Sequence, residues 1–289
     1  MEQKKIKFKD KEKWTTVIDS NKSIRFDLTQ ELFKYKDLIF LFIKRDFTTY
    51  YKQTILGPIW YILQPLLNTI VFTIIFGNFA KIPTDEIPPF LFYLAGTVVW
   101  SYFSTCVNST GNVFVTNSQI FSKVYFPRLI IPISNIIFSM LQFSIQLLFF
   151  LCFLLYFYIS GVEIILDYKV SYTVLILLHL AILSFGVGTL VSSLCSKYKD
   201  LSLAIGFAVQ LWMFATPIVY PLSVIPENYH FLISLNPVTS IVESFRHIFL
   251  GNSSINFHLY LTSLSVTLLI FLLGLFSFLK VEKNFIDTV

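Results

Sequence analysis

Two cations at the edge of the first long apolar stretch are the side chains best suited to binding an anion. Arg45 and Lys52 lie in a tyrosine-rich segment that ends at Gly57 and Pro58, and an apolar stretch begins directly afterwards at Ile59. A guanidinium can hold phosphate oxygens through two parallel hydrogen bonds, and an ammonium attracts them as a point charge. The pattern therefore predicts a site at which a phosphate headgroup meets the border of a membrane.

Uncharged polar residues recur at helical spacing inside two of the apolar stretches. One pair, Gln64 and Asn68, lies four residues apart. A second set occupies one face of a later helix and comprises Asn135, Ser139, Gln142 and Gln146. Polar groups inside a bilayer must contact protein or water. The sequence leaves two interpretations open, namely hydrogen bonds between helices and the wall of a polar pathway.

Aromatic side chains favour a sugar as the cargo of such a pathway. Trp and Tyr gather near the ends of the apolar stretches, where an ordinary interfacial belt is the alternative. Sugar rings, however, present apolar C–H faces that stack well on aromatic rings. The predicted glycan pathway consists of Trp60, Gln64, Asn68, Tyr93, Trp100, Tyr102, Asn135, Gln142 and Gln146.

Several patterns that other functions require are missing from the sequence. No Asp, Glu, Lys or Arg falls in the middle of an apolar stretch, which argues against an ion-driven carrier. The chain has no G-x-x-x-x-G-K-[ST] loop for ATP hydrolysis. Its three cysteines, Cys106, Cys152 and Cys195, are predicted to be buried free thiols. We predict no catalytic residue, no metal site and no cofactor on this chain. If the chain moves a cargo uphill, we predict that another polypeptide supplies the energy.

The elements that position these residues are predicted to be membrane-spanning helices. Hydrophobic residues make up 55% of the chain and charged residues only 13%, so long stretches carry no charge. We predict an all-α integral membrane protein in which residues 58–289 form a six-helix transmembrane domain. Its spans lie at about 58–78, 90–108, 133–159, 171–194, 201–220 and 257–279. Residues 1–57 form an arm with an amphipathic helix, 27–56, in the membrane surface; a helix packed on a soluble partner is the alternative.

Charge predicts how the chain is oriented. Nineteen of its 22 Lys and Arg residues fall in 1–57, 109–128, 196–200 and 280–289. The positive-inside rule places those segments in the cytoplasm, together with both termini, and the even number of spans agrees. Because the cations lie beside membrane spans, the net charge of +5 indicates anionic lipid rather than nucleic acid. Between the spans, 109–128 is predicted to be a loop with one short helix, and 221–256 to hold two short helices.

A series of motifs in fixed order resembles a known family. The motifs are Arg45-Asp46, Tyr51-Lys52-Gln53-Thr54, Leu56-Gly57-Pro58, Trp60, Gln64-Pro65, Phe126-Pro127-Arg128 with Pro132, Lys199-Asp200-Leu201, Pro217 with Tyr220-Pro221, and Asn236-Pro237 with Arg246. They resemble the membrane-spanning permease subunits of bacterial ABC transporters that export lipid-linked polysaccharides, such as O-antigen, capsule or teichoic acid. The resemblance covers most of the chain.

The resemblance implies partners and roles that composition does not show. It implies a second copy of this chain around a central channel, and two copies of a separate ABC ATPase that bind ATP and Mg. The cargo would be an undecaprenyl-linked glycan crossing the bacterial inner membrane. The lipid-headgroup entrance would comprise Arg45, Lys52, Gly57 and Pro58. The ATPase-coupling residues would be Asn117, Gln119, Lys123, Phe126 and Arg128. The gate helices would carry Pro221, Pro237, Glu243 and Arg246.

Three other functions stay open on sequence grounds. An ABC permease for a drug or a small lipid would have the same spans. A membrane glycosyltransferase could use the paired carboxylates Asp85 and Glu86, but no second acidic site accompanies them. A non-transporting scaffold would not need the polar helix face.

Overall fold

The chain folds into a bundle of long helices with shorter helices at both ends. The structure is a computed structural model, and it describes residues 32–52, 57, 59–162, 168–198, 200–251 and 257–284. The α-helices are α1 (Lys36–Lys52), α2 (Ile59–Phe72), α3 (Pro89–Gly111), α4 (Val113–Thr116), α5 (Ser118–Phe121), α6 (Ile130–Ile159), α7 (Thr173–Lys197), α8 (Asp200–Phe214), α9 (Glu227–Ser234), α10 (Pro237–Leu250) and α11 (Phe257–Asn284). A π-helical segment, Thr73–Phe79, continues α2. These described residues contain no strand, and the predicted all-α membrane class is confirmed.

Within the described part of the chain, five helical segments are long and apolar enough to cross a membrane. They are Ile59–Phe79, Pro89–Gly111, Ile130–Ile159, Val170–Lys197 and Phe257–Lys283. The remaining predicted span, 201–220, corresponds to α8, an apolar helix of 15 residues that ends at Phe214. Fifteen residues rise about 22 Å, which is less than the ~30 Å hydrocarbon core. The count of six spans therefore stays a prediction.

The helix α8 ends early for a local reason. Pro217 has no N–H group with which to extend the helical hydrogen-bond ladder. The carbonyl groups of Pro217 and Ile218 instead accept hydrogen bonds from the side chain of Arg246. The chain then forms a short 3-10 turn, Leu222–Val224, before the two helices α9 and α10.

Helix α3 lies at the centre of the bundle. It packs against α2, α6, α7, α8 and α10, and every residue from 91 to 100 is buried. Glycine on α7 allows this close packing, since a Cβ atom at Gly188 would lie 2.6 Å from Cβ of Thr110 on α3. On another face of α7, a Cβ atom at Gly186 would lie 2.7 Å from Cα of Phe271 on α11.

The bundle has two distinct ends. Short connections make successive long helices antiparallel. We call the end that carries α1, α4, α5 and the last turns of α11 the arm end. The opposite end, which carries the 80–88 loop, α9 and α10, is the far end.

Helix α1 packs on the bundle through one apolar face, which includes Leu38, Ile39 and Phe42, and exposes other apolar side chains. Phe42 is buried against the arm end, whereas Phe40 and Leu41 are exposed. The helix begins at Lys36 and ends at Lys52, and positions 27–31 and 53–56 of the predicted surface helix lie outside the described residues. Its location in the membrane surface stays a prediction.

Candidate functional site

A buried arginine fastens the far end of the bundle. Arg246 of α10 is 1% exposed. Its Nη1 donates to the carbonyl oxygen of Pro217 at 2.7 Å and to Oε1 of Glu243 at 3.0 Å, and its Nη2 donates to the carbonyl oxygen of Ile218 at 2.7 Å. Its Cζ lies 3.6 Å from the ring centroid of Phe92 on α3. We call this set of contacts, which joins α10, α3 and the chain after α8, the arginine clamp.

Burial and charge oppose each other in the arginine clamp. Burial lowers the pKa of Arg246 and raises the pKa of Glu243, and each charge partly offsets the effect on the other. The carboxylate of Asp85 adds a smaller contribution that raises both pKa values. Space for the guanidinium comes from Gly96 on α3, where a Cβ atom would lie 2.9 Å from Nη2 of Arg246.

Asn236 makes a second connection between α10 and the end of α8. Its Oδ1 accepts from the backbone N–H of Val238 at 3.3 Å, which caps α10, and from Nε1 of Trp212 at 3.2 Å. Its Nδ2 donates to Oγ1 of Thr216 at 2.9 Å. Pro237 follows at the first helical position, where a missing N–H costs little. Two side chains, Arg246 of α10 and Asn236 at its N-cap, thus bind the segment that follows α8.

The loop between α2 and α3 contacts the same region. Oγ of Ser223, in the 3-10 turn, donates to Oδ1 of Asp85 at 2.7 Å. Pro221, directly before that turn, is buried. The structure therefore brings the four predicted gate residues to the far end: Pro221, Pro237, Glu243 and Arg246. Their gating role stays a prediction.

At the arm end, the cation Arg45 is already paired. Its Nε donates to Oδ1 of Asp46 at 2.8 Å, and its Nη2 lies 2.7 Å from the same oxygen. Its Cζ lies 4.7 Å from the ring centroid of Phe42. Lys52, at the last position of α1, is exposed. An anion that arrives here would share Arg45 with Asp46 and would meet Lys52 in solvent or headgroups.

The turn that leads from α1 to α2 depends on a glycine. Gly57 has a φ of 51°, in the left-handed region that favours glycine. A Cβ atom there would have no neighbour within 4 Å, so the constraint lies in the backbone and not in packing. Pro58, the other residue predicted at this break, lies outside the described residues.

The predicted pathway residues of α2 form one exposed face. Trp60, Gln64 and Asn68 recur every four residues, and all three are exposed on the surface of the protomer. Pro65 and Thr69, which directly follow Gln64 and Asn68, are buried towards the bundle, and Oγ1 of Thr69 is hydrogen-bonded to Thr97 of α3 at 2.9 Å. The polar face of α2 is therefore available to another molecule.

The other predicted pathway residues lie inside the protomer. Of these, Asn135 is half-buried, and the buried ones are Tyr93, Trp100, Tyr102, Gln142 and Gln146. Nε2 of Gln146 donates to the backbone carbonyl of Tyr61 on α2 at 3.0 Å and to Oγ of Ser101 on α3 at 3.1 Å. Within one chain, Gln146 thus connects three helices, in line with the first of the two interpretations. A pathway role for these residues stays a prediction.

A second polar face, which the sequence reasoning missed, lies on α3. Between positions 101 and 112 every residue that is not buried is polar. These half-buried residues are Ser101, Ser104, Thr105, Asn108, Ser109 and Asn112, and we call them the α3 stripe. Their spacing of three or four residues could have revealed the stripe, because it is the repeat that identified the face of α6.

The predicted coupling residue Phe126 belongs to an aromatic cluster at the arm end. Its ring centroid lies 5.8 Å from that of Phe42 on α1 and 5.8 Å from that of Phe121 on α5. Next to these rings, Phe114 of α4 stacks on Phe278 of α11 at 4.8 Å. The cluster gives α1, the α4–α5 segment and α11 a common core. It places Arg45 of the predicted entrance beside residues 117–128, which hold the predicted coupling residues and which we call the coupling segment.

Arg128 connects the coupling segment to the end of α11. Its backbone N–H donates to Oε1 of Glu282 at 2.7 Å, and its Nη1 donates to the backbone carbonyl of Glu282 at 3.2 Å. Its Cζ lies 5.3 Å from the ring centroid of Phe121. Burial lowers the pKa of Arg128, and Glu282 opposes that effect. No local pattern indicates Glu282 as a partner, since 154 positions separate the two residues.

The rest of the coupling segment divides into buried and exposed residues. Asn117 is buried, and its Nδ2 donates to the carbonyl of Val113 at 3.1 Å. Gln119 and Lys123 are exposed, and so is the apolar ring of Tyr125, at 70%. These exposed residues lie between the second and third candidate spans. Among the described residues, no group of three or more His, Cys, Asp or Glu side chains could hold a metal.

Comparison with known families covers most of the bundle, up to the end of α10. Residues 37–250, from the start of α1 to the end of α10, match the family described as ABC-2 type transporter. The chain belongs to the ABC-2 type transporter family. The match includes the arginine clamp, the α3 stripe and the coupling segment, and the predicted resemblance to ABC permease subunits is confirmed.

Several relatives of this ABC-2 protein have named functions. The O-antigen export system permease protein RfbA of Klebsiella pneumoniae is 28% identical over 253 residues, which cover 87% of this chain and 94% of that protein. The RfbA protein of Myxococcus xanthus is 26% identical over 228 residues, or 77% and 84% of the two chains. The polysialic acid transport protein KpsM of Escherichia coli is 24% identical over 207 residues, or 70% and 77%.

Proposed function

We propose that this ABC-2 chain is the permease subunit of an ATP-driven exporter that moves an undecaprenyl-linked polysaccharide across the bacterial cytoplasmic membrane. The observation that carries the proposal is the similarity, over most of the chain, to permeases named for O-antigen export and polysialic acid transport. The chain is a transport subunit, and ATP and Mg are bound by a separate ATPase partner. Two permease chains and two ATPase chains make up the exporter.

The arm end faces the cytoplasm in this proposal. The distribution of Lys and Arg supports that orientation, because 19 of the 22 fall in 1–57, 109–128, 196–200 and 280–289, the segments that the positive-inside rule assigns to the cytoplasm. The pyrophosphate of the lipid carrier reaches the turn at Gly57, where Lys52 is exposed. Arg45 shares its guanidinium between Asp46 and the arriving phosphate oxygens. The lipid tail stays in the bilayer while the sugar enters between the two permease chains.

The coupling segment transmits movement of the ATPase. The exposed residues Gln119 and Lys123 contact the partner. Phe126 and Arg128 carry its movement to α1 and to the end of α11, through the ring contacts and the bonds to Glu282. Since α1 borders the entrance, the same displacement reaches the lipid headgroup site. A packed aromatic cluster suits this role, because tightly packed side chains shift together rather than deform singly.

The far end acts as the outer gate. The arginine clamp and Asn236 hold the segment after α8 against α3 and α10. In this closed arrangement the two carbonyl groups of Pro217 and Ile218 are bound to Arg246. Opening requires the segment to move away from α10, so the clamp determines the free energy of opening.

Deletion of the gene in the source bacterium tests the proposal. We expect polysaccharide to disappear from the cell surface and its lipid-linked form to accumulate in the cell. The full-length chain, supplied from a plasmid, should restore export together with its ATPase partner, which should co-purify with it. Accumulation of a drug or a small lipid would support the rival permease, and glycosyl transfer by the purified chain alone would support the enzyme. Intact export and no accumulation would overturn the proposal.

A further inference from the structure

Helix α11 reaches both ends of the bundle. It contains 28 residues, Phe257–Asn284, and rises about 42 Å, so that its first turns lie at the far end and its last turns at the arm end. It packs chiefly on α7, α9 and α10, and its outer side exposes Leu268, Leu272 and Phe276. The match to the ABC-2 family ends at residue 250, before α11 begins.

A single face of α11 is turned towards the bundle over most of its length. Four of its buried residues, Ser263, Thr267, Gly274 and Phe278, recur at intervals of four or seven positions. That spacing is the repeat of one helix face. The same face can therefore contact different neighbours at the far end, in the middle and at the arm end.

At the arm end, α11 is bonded to the coupling segment. Oε1 of Glu282 accepts from the backbone N–H of Arg128, directly before α6, and the carbonyl of Glu282 accepts from Nη1 of the same arginine. Bonds of this kind satisfy backbone groups that the ends of helices leave without partners. One turn earlier, Phe278 stacks on Phe114. A displacement of Arg128 must therefore move the end of α11 or break these contacts.

At the far end, α11 is bonded to α10, the helix that carries the arginine clamp. Oγ of Ser263, which is fully buried, donates to the carbonyl of Pro237 at 3.0 Å. Oγ of Ser240 on α10 donates to the carbonyl of Leu259 on α11 at 3.2 Å. Each helix thus gives one serine to a backbone carbonyl of the other. The bond to Pro237 holds the first turn of α10, beside the cap residue Asn236.

Between the two ends, α11 lies directly on α7. A Cβ atom at Gly274 would overlap the carbonyl oxygen of Gly186 on α7, so the two backbones are in contact. Nε2 of His179 and Oγ1 of Thr267, both buried, are hydrogen-bonded at 2.8 Å. Interiors packed this closely have low compressibility and transmit displacement rather than absorb it. Helix α7 therefore supports α11 between the two ends.

We propose that α11 carries the movement of the coupling segment to α10 and so to the arginine clamp, with Glu282 and Ser263 as the positioning residues at its two ends. The proposal rests on the proposed function, since it needs an ATPase that moves the coupling segment and a gate that responds. Rigid helices and packed side chains carry coupling between distant sites. A shift of Arg128 displaces α11, the bond from Ser263 displaces the first turn of α10, and the clamp on the segment after α8 loosens.

Helix α3 offers a second route between the same two ends. Its last residue, Gly111, lies one position before the short helix α4 begins, and Phe92 near its start contacts Arg246. Helix α3 packs against five other helices, however, so a displacement along its axis is opposed from every side. Helix α11 has an exposed side, and shifts of roughly 1–2 Å between packed helices are a common switching motion. Movement of α11 therefore disrupts less packing than movement of α3.

Removal of the contact at each end of α11 tests the proposal. We expect Glu282→Ala and Ser263→Ala each to slow glycan export about two- to tenfold, since each removes one hydrogen bond between packed elements. Export is measured as polysaccharide at the surface of the deletion strain, at equal amounts of membrane-inserted protein. ATP hydrolysis by the co-purified partner should stay close to the wild-type rate, because these residues transmit movement and do not bind the ATPase. If Glu282→Ala does not accumulate in the membrane, Glu282→Asp, with a side chain shorter by one methylene, replaces it.

Matched controls exist on the same helix. Ser265→Ala removes an exposed hydroxyl that donates to the carbonyl of Leu261 within α11, and Lys280→Ala removes an exposed side chain of the last turns. Both should export at the wild-type rate. Glu282→Gln keeps an oxygen that can accept the same bond, so it should export faster than Glu282→Ala. Equal losses in Ser265→Ala and Ser263→Ala would overturn the proposal.

The double variant separates a shared path from two local effects. Positions 263 and 282 are 19 residues apart. That separation is about 28 Å along the helix, so independent local effects should multiply as fold-losses in the export rate. Residues that act as one unit should instead give a double variant about as slow as the slower single variant.

Three results would overturn the proposal. The first is normal export by Glu282→Ala or Ser263→Ala, the second is fold-losses that multiply, and the third is an equal fall in export and ATP hydrolysis, which a purely structural role would produce. If deletion of the whole chain leaves export intact, the proposed function itself fails. If deletion stops export while both single variants export normally, only the role of α11 fails.

Discussion

Two arginines of this protein have the same kinds of partners and different surroundings. Arg45 at the arm end contacts the carboxylate of Asp46 and the ring of Phe42. Arg246 at the far end contacts the carboxylate of Glu243 and the ring of Phe92. The side chain of Arg45 is 38% exposed, however, and that of Arg246 only 1%.

Burial decides what each arginine can do. The exposed pair is screened by solvent, and water can replace either partner at little cost. The buried guanidinium has lost its water, and it recovers hydrogen bonds from two backbone carbonyls in addition to the carboxylate. An exposed arginine is available to a ligand, whereas the buried one is committed to holding segments of the chain together. Four substitutions test this contrast, from the largest expected effect to the smallest.

Arg246→Ala should destabilise the protein most. It leaves Glu243 and two carbonyl groups without their partner, and loss of one member of a buried ion pair typically costs about 3–5 kcal/mol. Unfolding of the purified protein in detergent measures the change. The stability of Arg246→Lys should fall between that of Arg246→Ala and that of the wild type, because lysine keeps the charge but lacks the planar guanidinium. Equal stability of Arg246→Ala and wild type would show that the clamp has no structural role.

Gly96→Ala tests the space that α3 provides for the guanidinium. The new methyl group would lie 2.9 Å from Nη2 of Arg246 and 3.0 Å from Cγ2 of Ile218, and overpacking of this kind costs about 1–3 kcal/mol. Gly206→Ala on α8 is the matched control, since its methyl group would have no neighbour closer than 3.9 Å. The two melting temperatures should differ clearly, and equal values would mean that the clamp adjusts freely.

Glu243→Gln should change how stability depends on pH. Burial raises the pKa of Glu243 above its ordinary value of 4.5 in the folded state, so the folded protein keeps a proton that the unfolded chain releases. Stability should therefore fall as pH rises from 4.5 through the folded pKa, and this slope should vanish in the variant. Melting temperatures over that pH range measure it. Glu86→Gln, which removes an exposed carboxylate of the same end, should keep the slope; if Glu243→Gln also keeps it, another group is responsible.

Arg45→Ala should have the smallest effect on stability, below about 1 kcal/mol, because its ion pair is exposed. Under the proposed function it should nevertheless slow glycan export and reduce the stimulation of the partner ATPase by the lipid-linked substrate. Asp46→Asn is the companion variant, since it frees the guanidinium without removing it. Unchanged export and ATPase stimulation in Arg45→Ala would remove the headgroup role and leave Arg45 as a lipid anchor.

The two polar faces show where prediction from sequence stops. The spacing of Asn135, Gln142 and Gln146 identifies one helix face correctly, because a helix repeats every 3.6 residues whatever surrounds it. The same spacing occurs in the α3 stripe. The structure buries Gln142 and Gln146 inside the protomer and leaves the stripe half-exposed. Periodicity defines a face, but the neighbouring helices decide whether that face is covered.

The sequence by itself determined the membrane class, because uncharged apolar stretches of about 20 residues have the length of a helix that spans the hydrocarbon core. It also determined the family, through motifs that keep their order along the chain. Only the tertiary structure decided the partners of the charged groups: Arg246 with the carbonyls of Pro217 and Ile218, and Arg128 with Glu282. These partners lie 28 to 154 positions apart in the chain. Their contacts arise from the packing of helices against one another, which local composition and periodicity do not encode.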